Sequence, residues 1–168
     1  MGFVLTIVWA NYVGPVGNLR LAALDDGALF RLEFMQGDVS PDDSWTRNDG
    51  ALDPVARQLD EYFSGTRMYF DLALAPQGTP FQLEAWMALR SIPYGQTISY
   101  GEQAARINRP SAARAVGGAN GRNPLAIVVP CHRVIGSDGR LTGFGGGMDW
   151  KRYLLGLEEA NTTRLVAR

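Results

Sequence analysis

Six residues, Ala75-Pro76-Gln77-Gly78-Thr79-Pro80, divide the 168-residue chain into two regions that no single helix or strand can cross. Proline lacks the N–H that a helix or strand interior needs and glycine weakens either, so regular structure stops there. The same stretch opens a helix. Thr79 suits the N-cap, Pro80 the first helical position, and Gln82 completes a capping box. Upstream, short strand-like runs alternate with turns: FVLTIVWA from Phe3, Gly14-Pro15-Val16-Gly17, LRLAAL from Leu19, Asp25-Asp26-Gly27, then ALFRLEF from Ala28. That order predicts an antiparallel meander. A polar, acidic run from Gly37 to Gly50 follows, and then Leu52, Val55, Leu59 and Phe63 recur at helical spacing until Gly65. TRMYFDLAL, from Thr66, predicts a further strand. Nothing in this first half gathers catalytic side chains, so it reads as a supporting α+β unit.

Downstream of the divide the pattern turns helical. The helix opened by Thr79 carries Phe81, Trp86 and Leu89, and a second capping box, Ser99 with Glu102, opens a short helix through YGEQAARI. After a break at Asn108-Arg109-Pro110, SAARAVGGANG predicts a third helix with Arg114 in its first turns. Two short helices joined by a tight turn suggest a helix-turn-helix. Ala112, Ala113, Ala115, Gly117 and Gly118 give the third helix little bulk, so its backbone can approach another surface closely. Its first turns offer no Asn, Gln or second Arg to read base edges, so DNA contact there is expected through shape and backbone.

Charge follows the same divide. Residues 1–80 hold five arginines against eleven carboxylates, a net of −6, whereas residues 81–168 hold eleven Lys and Arg against six carboxylates, a net of +5. All but one of those eleven cations are Arg, which suits planar recognition of phosphate or bases. A polyanion therefore belongs with the second half. The 46% hydrophobic and 20% charged composition is that of a globular protein. No apolar run is long enough to span a membrane and the N-terminus lacks the basic start of a signal peptide, so a cytoplasmic location is expected.

One cysteine and one histidine stand side by side, Cys131 and His132. A lone cysteine excludes an intramolecular disulfide, a C-x-x-C redox pair and a multi-thiolate zinc site. LAIVVP from Leu125 predicts a buried strand that Pro130 ends, placing Cys131 at a strand end. An imidazole nearby can take the thiol proton and create the nucleophilic thiolate. Neighbours in an extended chain point to opposite faces, however, so a bridging water is expected between them, with a carboxylate behind His132 fixing the ring. Spacing leaves that carboxylate open among Glu84, Glu102, Asp138, Asp149, Glu158 and Glu159. Beyond the pair, Gly136 to Gly139 predicts a turn and Thr142 to Gly147 a flexible, exposed loop able to close over a ligand. Trp150, Leu154 and Leu157 mark a last amphipathic helix.

The stretch NPLAIVVPCHRVIGSDGRLTGFGGG, from Asn123, resembles the O6-alkylguanine-DNA alkyltransferases, the methylated-DNA–protein-cysteine methyltransferases. The resemblance runs from Thr79 to Glu158 and includes PYGQTISYGE, SAARAVGGANGRNP and PCHRVIG; the first 78 residues share only the general layout. It implies an α+β protein: a noncatalytic, ribonuclease-H-like antiparallel sheet domain over 1–78, and a helix-turn-helix, winged-helix-like domain over 79–168. The second domain would bind double-stranded DNA in the minor groove and flip the alkylated guanine out of the stack.

The resemblance also implies a division of labour. Cys131 would be the alkyl acceptor, His132 its water-relayed base, Glu158 the carboxylate behind it and Asn123 the organiser of the turn. Tyr100 would press the 3′ phosphate and help protonate the leaving guanine. Arg114 would fill the vacated space in the stack, with Ala112, Ala113, Ala115 and Gly117 against the groove. Val134, Ser137, Phe144 and Gly145 would surround the flipped base. Phe144 stands where tyrosine is frequent, so a hydroxyl is lost there and an aromatic face kept. No cofactor and no metal is implied, and the chain is too short for an additional cysteine-rich sensor domain. A monomer that can assemble on DNA is expected, with O4-alkylthymine left open as a substrate. Two other readings compete: a lesion-binding protein that performs no transfer, against which the presence of Cys131 argues, and a Cys-His thiol hydrolase, which leaves the basic half unexplained.

Overall fold

The computed structural model describes residues 6–37 and 40–167. The meander forms: β1 (Ile7–Val13) and β2 (Asn18–Leu24) make a hairpin closed by a bond from Gly14 N–H to the Gly17 carbonyl, 3.0 Å. Phe3 to Leu5 of the expected first strand lie outside the described residues. Gly27, at φ 86°, turns β2 into β3 (Leu29–Phe34), and this left-handed backbone is one that glycine adopts without penalty. The polar run contributes a two-residue strand, β4 (Thr46–Arg47), parallel to β1, so the sheet order is β3-β2-β1-β4. Helix α1 (Asp53–Phe63) adds Val55, Leu59 and Tyr62 to the core that Ala10, Leu19 and Leu21 supply from the sheet.

Thr66 to Leu74 does not become the expected strand. It touches the edge of β3 only around Leu29, whose N–H donates to Ala73 and whose carbonyl accepts from Ala75, both at 2.9 Å. At Asp71 the backbone is satisfied by a side chain instead: Gln58 accepts from its N–H and donates to its carbonyl at 2.9 and 2.8 Å. The remaining edge of β3 serves the second half of the molecule. Leu32 donates to Pro124 at 2.8 Å and accepts from Ala126 at 3.1 Å.

In that second half both capping boxes form, opening α2 (Pro80–Leu89) and α3 (Tyr100–Arg106). Asn108, at φ 58°, makes the tight turn into α4 (Ala113–Asn120); asparagine tolerates this left-handed conformation better than most residues. The helices are locked by polar groups as well as packing. Trp86 Nε1 donates to the Ala119 carbonyl at 2.8 Å, and the buried amides of Gln103 and Asn120 bond each other at 2.9 and 2.7 Å. A short parallel pair, β5 (Ile98–Ser99) with β6 (Val134–Ile135), places the start of α3 beside the residues after Cys131. Helix α5 (Met148–Val166) closes the fold, and Trp150 and Leu154 join one continuous core with both halves. Among the described residues, no helix is long and apolar enough to cross a membrane.

Candidate active site

Leu125 to Pro130 is buried, as its composition requires, but it is not a strand. Only Leu125 pairs with β3; the chain then folds back, with Val128 N–H on the Ala126 carbonyl and Val129 N–H on the Leu125 carbonyl, both 2.8 Å. Asn123 holds this loop closed. Its side-chain oxygen accepts from Leu125 N–H at 3.0 Å, and its Nδ2 donates to the Val129 carbonyl at 2.7 Å and to Cys131 Sγ at 3.2 Å. Ile127 sits at φ 70°, a conformation that costs a β-branched residue on the order of 1–3 kcal/mol and persists only where the surroundings enforce it. Cys131 to Arg133 then form a single 3-10 turn, so Cys131 stands in a helical turn and not at a strand end.

Behind that turn, His132 is fully buried and its Nε2 lies 2.8 Å from Glu158 Oε1. Glu158 is saturated with further donors. Tyr62 OH (2.6 Å) and Arg133 Nη2 (2.9 Å) share Oε1, while Arg133 Nε (2.9 Å) and Gly95 N–H (3.1 Å) reach Oε2. Burial opposes ionisation of this carboxyl, but the hydrogen bonds from His132 and Arg133 and the Arg133 charge outweigh it and hold Glu158 well below the usual carboxylate range. An ionised acceptor requires the proton on Nε2, leaving Nδ1 as the basic nitrogen. That Nδ1 is buried and has no hydrogen-bond partner among the described residues. Burial also lowers the His132 pKa, against the pull of Glu158, so the ring is a neutral base near pH 7.

Burial raises the Cys131 pKa, opposed by the Asn123 hydrogen bond and the Lys151 charge. The resting group is therefore a thiol beside a poised base. Lys151, whose own pKa burial lowers, donates to the carbonyls of Val134 (2.6 Å) and Thr142 (3.0 Å). Of the other five carboxylates left open by spacing, Glu84 pairs with Arg109, Glu102 caps α3, Asp138 pairs with Arg140, Asp149 pairs with Arg152, and Glu159 is exposed on α5. Among the described residues, no group of three His, Cys, Asp or Glu side chains is placed to hold a metal ion.

A pocket of about 240 Å³ opens onto Cys131, with Asn123, Phe144 and Gly145 on one side and Leu32, Glu33 and Phe34 of β3 on the other. A larger open groove, about 1210 Å³, runs between α2 and the α3–α4 turn past Leu83, Met87 and Ile107, but neither Cys131 nor His132 lines it. Val134 and Ser137 do not line the acceptor pocket. Val134 is fully buried with its carbonyl taken by Lys151, and Ser137 is exposed in the Gly136–Gly139 turn. Tyr100 stands at the start of α3, its hydroxyl accepting from Thr142 at 3.1 Å and its ring beside Gly117, where an added Cβ would lie 3.6 Å away. On α4, Arg114 and Ala115 are exposed and Ala112 and Ala113 half-buried. Tyr62, Arg133 and Lys151 escaped the sequence reading. Tyr62 falls on the apolar stripe of α1, and Lys151 shares with Leu154 and Glu158 a stripe that reads as core.

Two family models match the chain: the ribonuclease-like domain of 6-O-methylguanine DNA methyltransferase over residues 7–76, and its DNA-binding domain over residues 80–160. A methylated-DNA–protein-cysteine methyltransferase of Methanosarcina acetivorans is 48% identical over 89% of this chain and 97% of its own length. The chain belongs to this family. Among solved structures, the O6-methylguanine methyltransferase of Mycobacterium tuberculosis superimposes with a TM-score of 0.86 at 46% identity, covering 93% of this chain and 94% of its own. The structure of Mycobacterium tuberculosis OGT in complex with DNA gives 0.85 at 48% identity, over 92% of this chain and 94% of its own. These methyltransferases share both halves of the fold with the present chain, and DNA is the family's partner.

Proposed function

We propose that this protein reverses alkylation damage directly, moving the alkyl group from O6-alkylguanine in double-stranded DNA onto Cys131 and restoring guanine. The observation that carries the reading is the buried thiol, held by Asn123, next in sequence to an imidazole whose Nε2 is fixed on an ionised carboxylate. His132 Nδ1, through a water, takes the thiol proton. The thiolate sulfur then attacks the O6-bound alkyl carbon, a C–S bond forms as the C–O6 bond breaks, and the bond pair leaves on the guanine. Tyr100 stands at the start of α3 to press the backbone phosphate and supply a proton to the departing base. The product is a thioether, a poor leaving group, and the sequence holds no second cysteine to displace it. Each molecule acts once.

DNA docking falls to α4. Its small residues permit close approach to the minor groove, and Arg114, which makes no ion pair among the described residues, fills the stack when the guanine leaves. The halves act as units over 1–78 and 79–168, the first supporting and the second binding and reacting, in a protein that is a monomer in solution. Phe144 and Gly145 cover the flipped base. Incubation with O6-methylguanine duplex should add one methyl group to the peptide containing Cys131, and Cys131→Ala should add none. DNA binding without any mass gain would make this a lesion-binding protein instead.

A further inference from the structure

The loop that walls the acceptor pocket is held at its tip by the other half of the molecule. Within its own half, Thr142 is tied to Lys151 and Tyr100, and Gly147 N–H bonds the Phe144 carbonyl at 2.9 Å. The tip between them, Phe144 to Gly146, rests on the end of β3. The Phe34 ring meets Phe144 at 5.2 Å between centroids, nearly edge to face, and Trp150 at 4.9 Å. A Cβ on Gly146 would run into the Phe34 ring, so backbone and ring are in direct contact. Two residues on, Gln36 Nε2 donates to the Gly145 carbonyl at 3.0 Å.

Phe34 and Gly145 also line a second cavity of about 310 Å³ that continues past Arg20, Met35 and Gln36. Phe34 and Gly145, together with Glu33, line both this cavity and the one holding Cys131 and so stand between them. From this placement we infer that Phe34, supported by Gln36, determines which O6 substituents the protein accepts, restricting it to small alkyl groups by limiting the space beside Cys131. Removing the ring merges the two cavities and frees the loop tip to move outward, which admits flat, apolar substituents of the benzyl class. Phe34 touches no reacting atom in this scheme; it acts on substrate range through the wall it builds. The inference rests on the alkyl-transfer reading above.

Single-turnover rates with O6-methylguanine and O6-benzylguanine duplexes, measured on the full chain and on Phe34→Ala, Phe34→Leu and Gln36→Ala, test it. The benzyl-to-methyl rate ratio should rise about tenfold in Phe34→Ala, the scale on which apolar pockets discriminate by size, and less in Phe34→Leu. Gln36→Ala should raise it severalfold with methyl transfer nearly unchanged, and it decides the matter should the Phe34 variants fail to fold. Equal falls in both rates, or an unchanged ratio in variants that still transfer methyl, would overturn the inference and leave the transfer reading intact. Absence of methyl transfer in the unaltered protein would overturn both.

Discussion

Cys131 stands between two regions built on opposite principles. Behind it, five hydrogen bonds converge on Glu158 from His132, Arg133, Tyr62 and Gly95, all but the last from buried side chains. In front of it, the pocket wall is a glycine-rich loop resting on Phe34 and Gln36, and α4 exposes Arg114 without an ion pair among the described residues. The rear is over-determined because a proton must be taken along a fixed direction, and every reorientation of His132 would add to the barrier. In the proposed reaction a flipped base has to enter from the front, which suits a lightly held wall whose contacting groups are not already saturated by protein. Preorganisation lies on the side of the base, and adaptability on the side of the substrate.

The largest expected effect breaks the rear. Glu158→Gln leaves the buried Arg133 guanidinium without its counter-charge, which should cost about 3–5 kcal/mol in urea unfolding. It should also slow methyl transfer by about two to four orders of magnitude, the usual worth of a positioned general base. A fall in stability with an unchanged rate would mean that His132 needs no fixed tautomer. The front responds differently. Arg114→Ala should leave stability within about 0.5 kcal/mol, as exposed substitutions do. Transfer from duplex DNA should nevertheless drop about tenfold or more, since holding a base out of the stack is worth a few kcal/mol. Transfer from the free base O6-methylguanine should not change, and equal losses on duplex and free base would remove Arg114 from the flipping step.

Tyr62→Phe sharpens the comparison by reaching the rear of the site from the supporting half. Burial, followed by the charge of Glu158, raises the Tyr62 pKa well above its ordinary value, so it remains a donor. Losing that bond to an ionised acceptor should cost about 1.5–3 kcal/mol of stability. Transfer should slow far less than in Glu158→Gln, because four other donors keep the carboxylate in place. The smallest effect is with pH. The folded pKa of His132 is depressed by burial, so on acidification below its ordinary value of about 6.5 the unfolded chain takes up a proton that the native chain refuses. Glu158 is likewise depressed, by His132 and Arg133, and its contribution is lost as pH falls from the ordinary carboxylate range toward its folded value. Both act in one direction, so the melting temperature should decline from just below neutrality and fall further in acid. A flat profile between pH 7 and 5 would show that His132 is not held neutral by burial.

What could be read from residues alone follows the same physics. Both capping boxes, the Gly27 turn and the helix-turn-helix were legible because each is decided within a few residues. The Leu125–Pro130 segment was not: β-branched residues report burial, whereas the fold-back is set by Asn123 reaching forward to Leu125, Val129 and Cys131. Thr66 to Leu74 has strand composition, but β3 gives it only Leu29 and offers Leu32 to the second half. Spacing could not choose among six carboxylates because the choice depends on how α5 lies against the Cys131 turn. Tyr62 was hidden for a related reason. A tyrosine on an apolar helix stripe reads as core until the partner of its hydroxyl is known.

The central claim, that Cys131 is a consumable acceptor and not a turnover catalyst, is tested most directly by titrating the protein with O6-methylguanine duplex and counting methyl groups on protein and guanine restored in DNA. The account predicts that both rise together and stop at one per protein molecule, with all of the label on the Cys131 peptide. Guanine restored beyond one equivalent, or methyl found on any other residue, would contradict it.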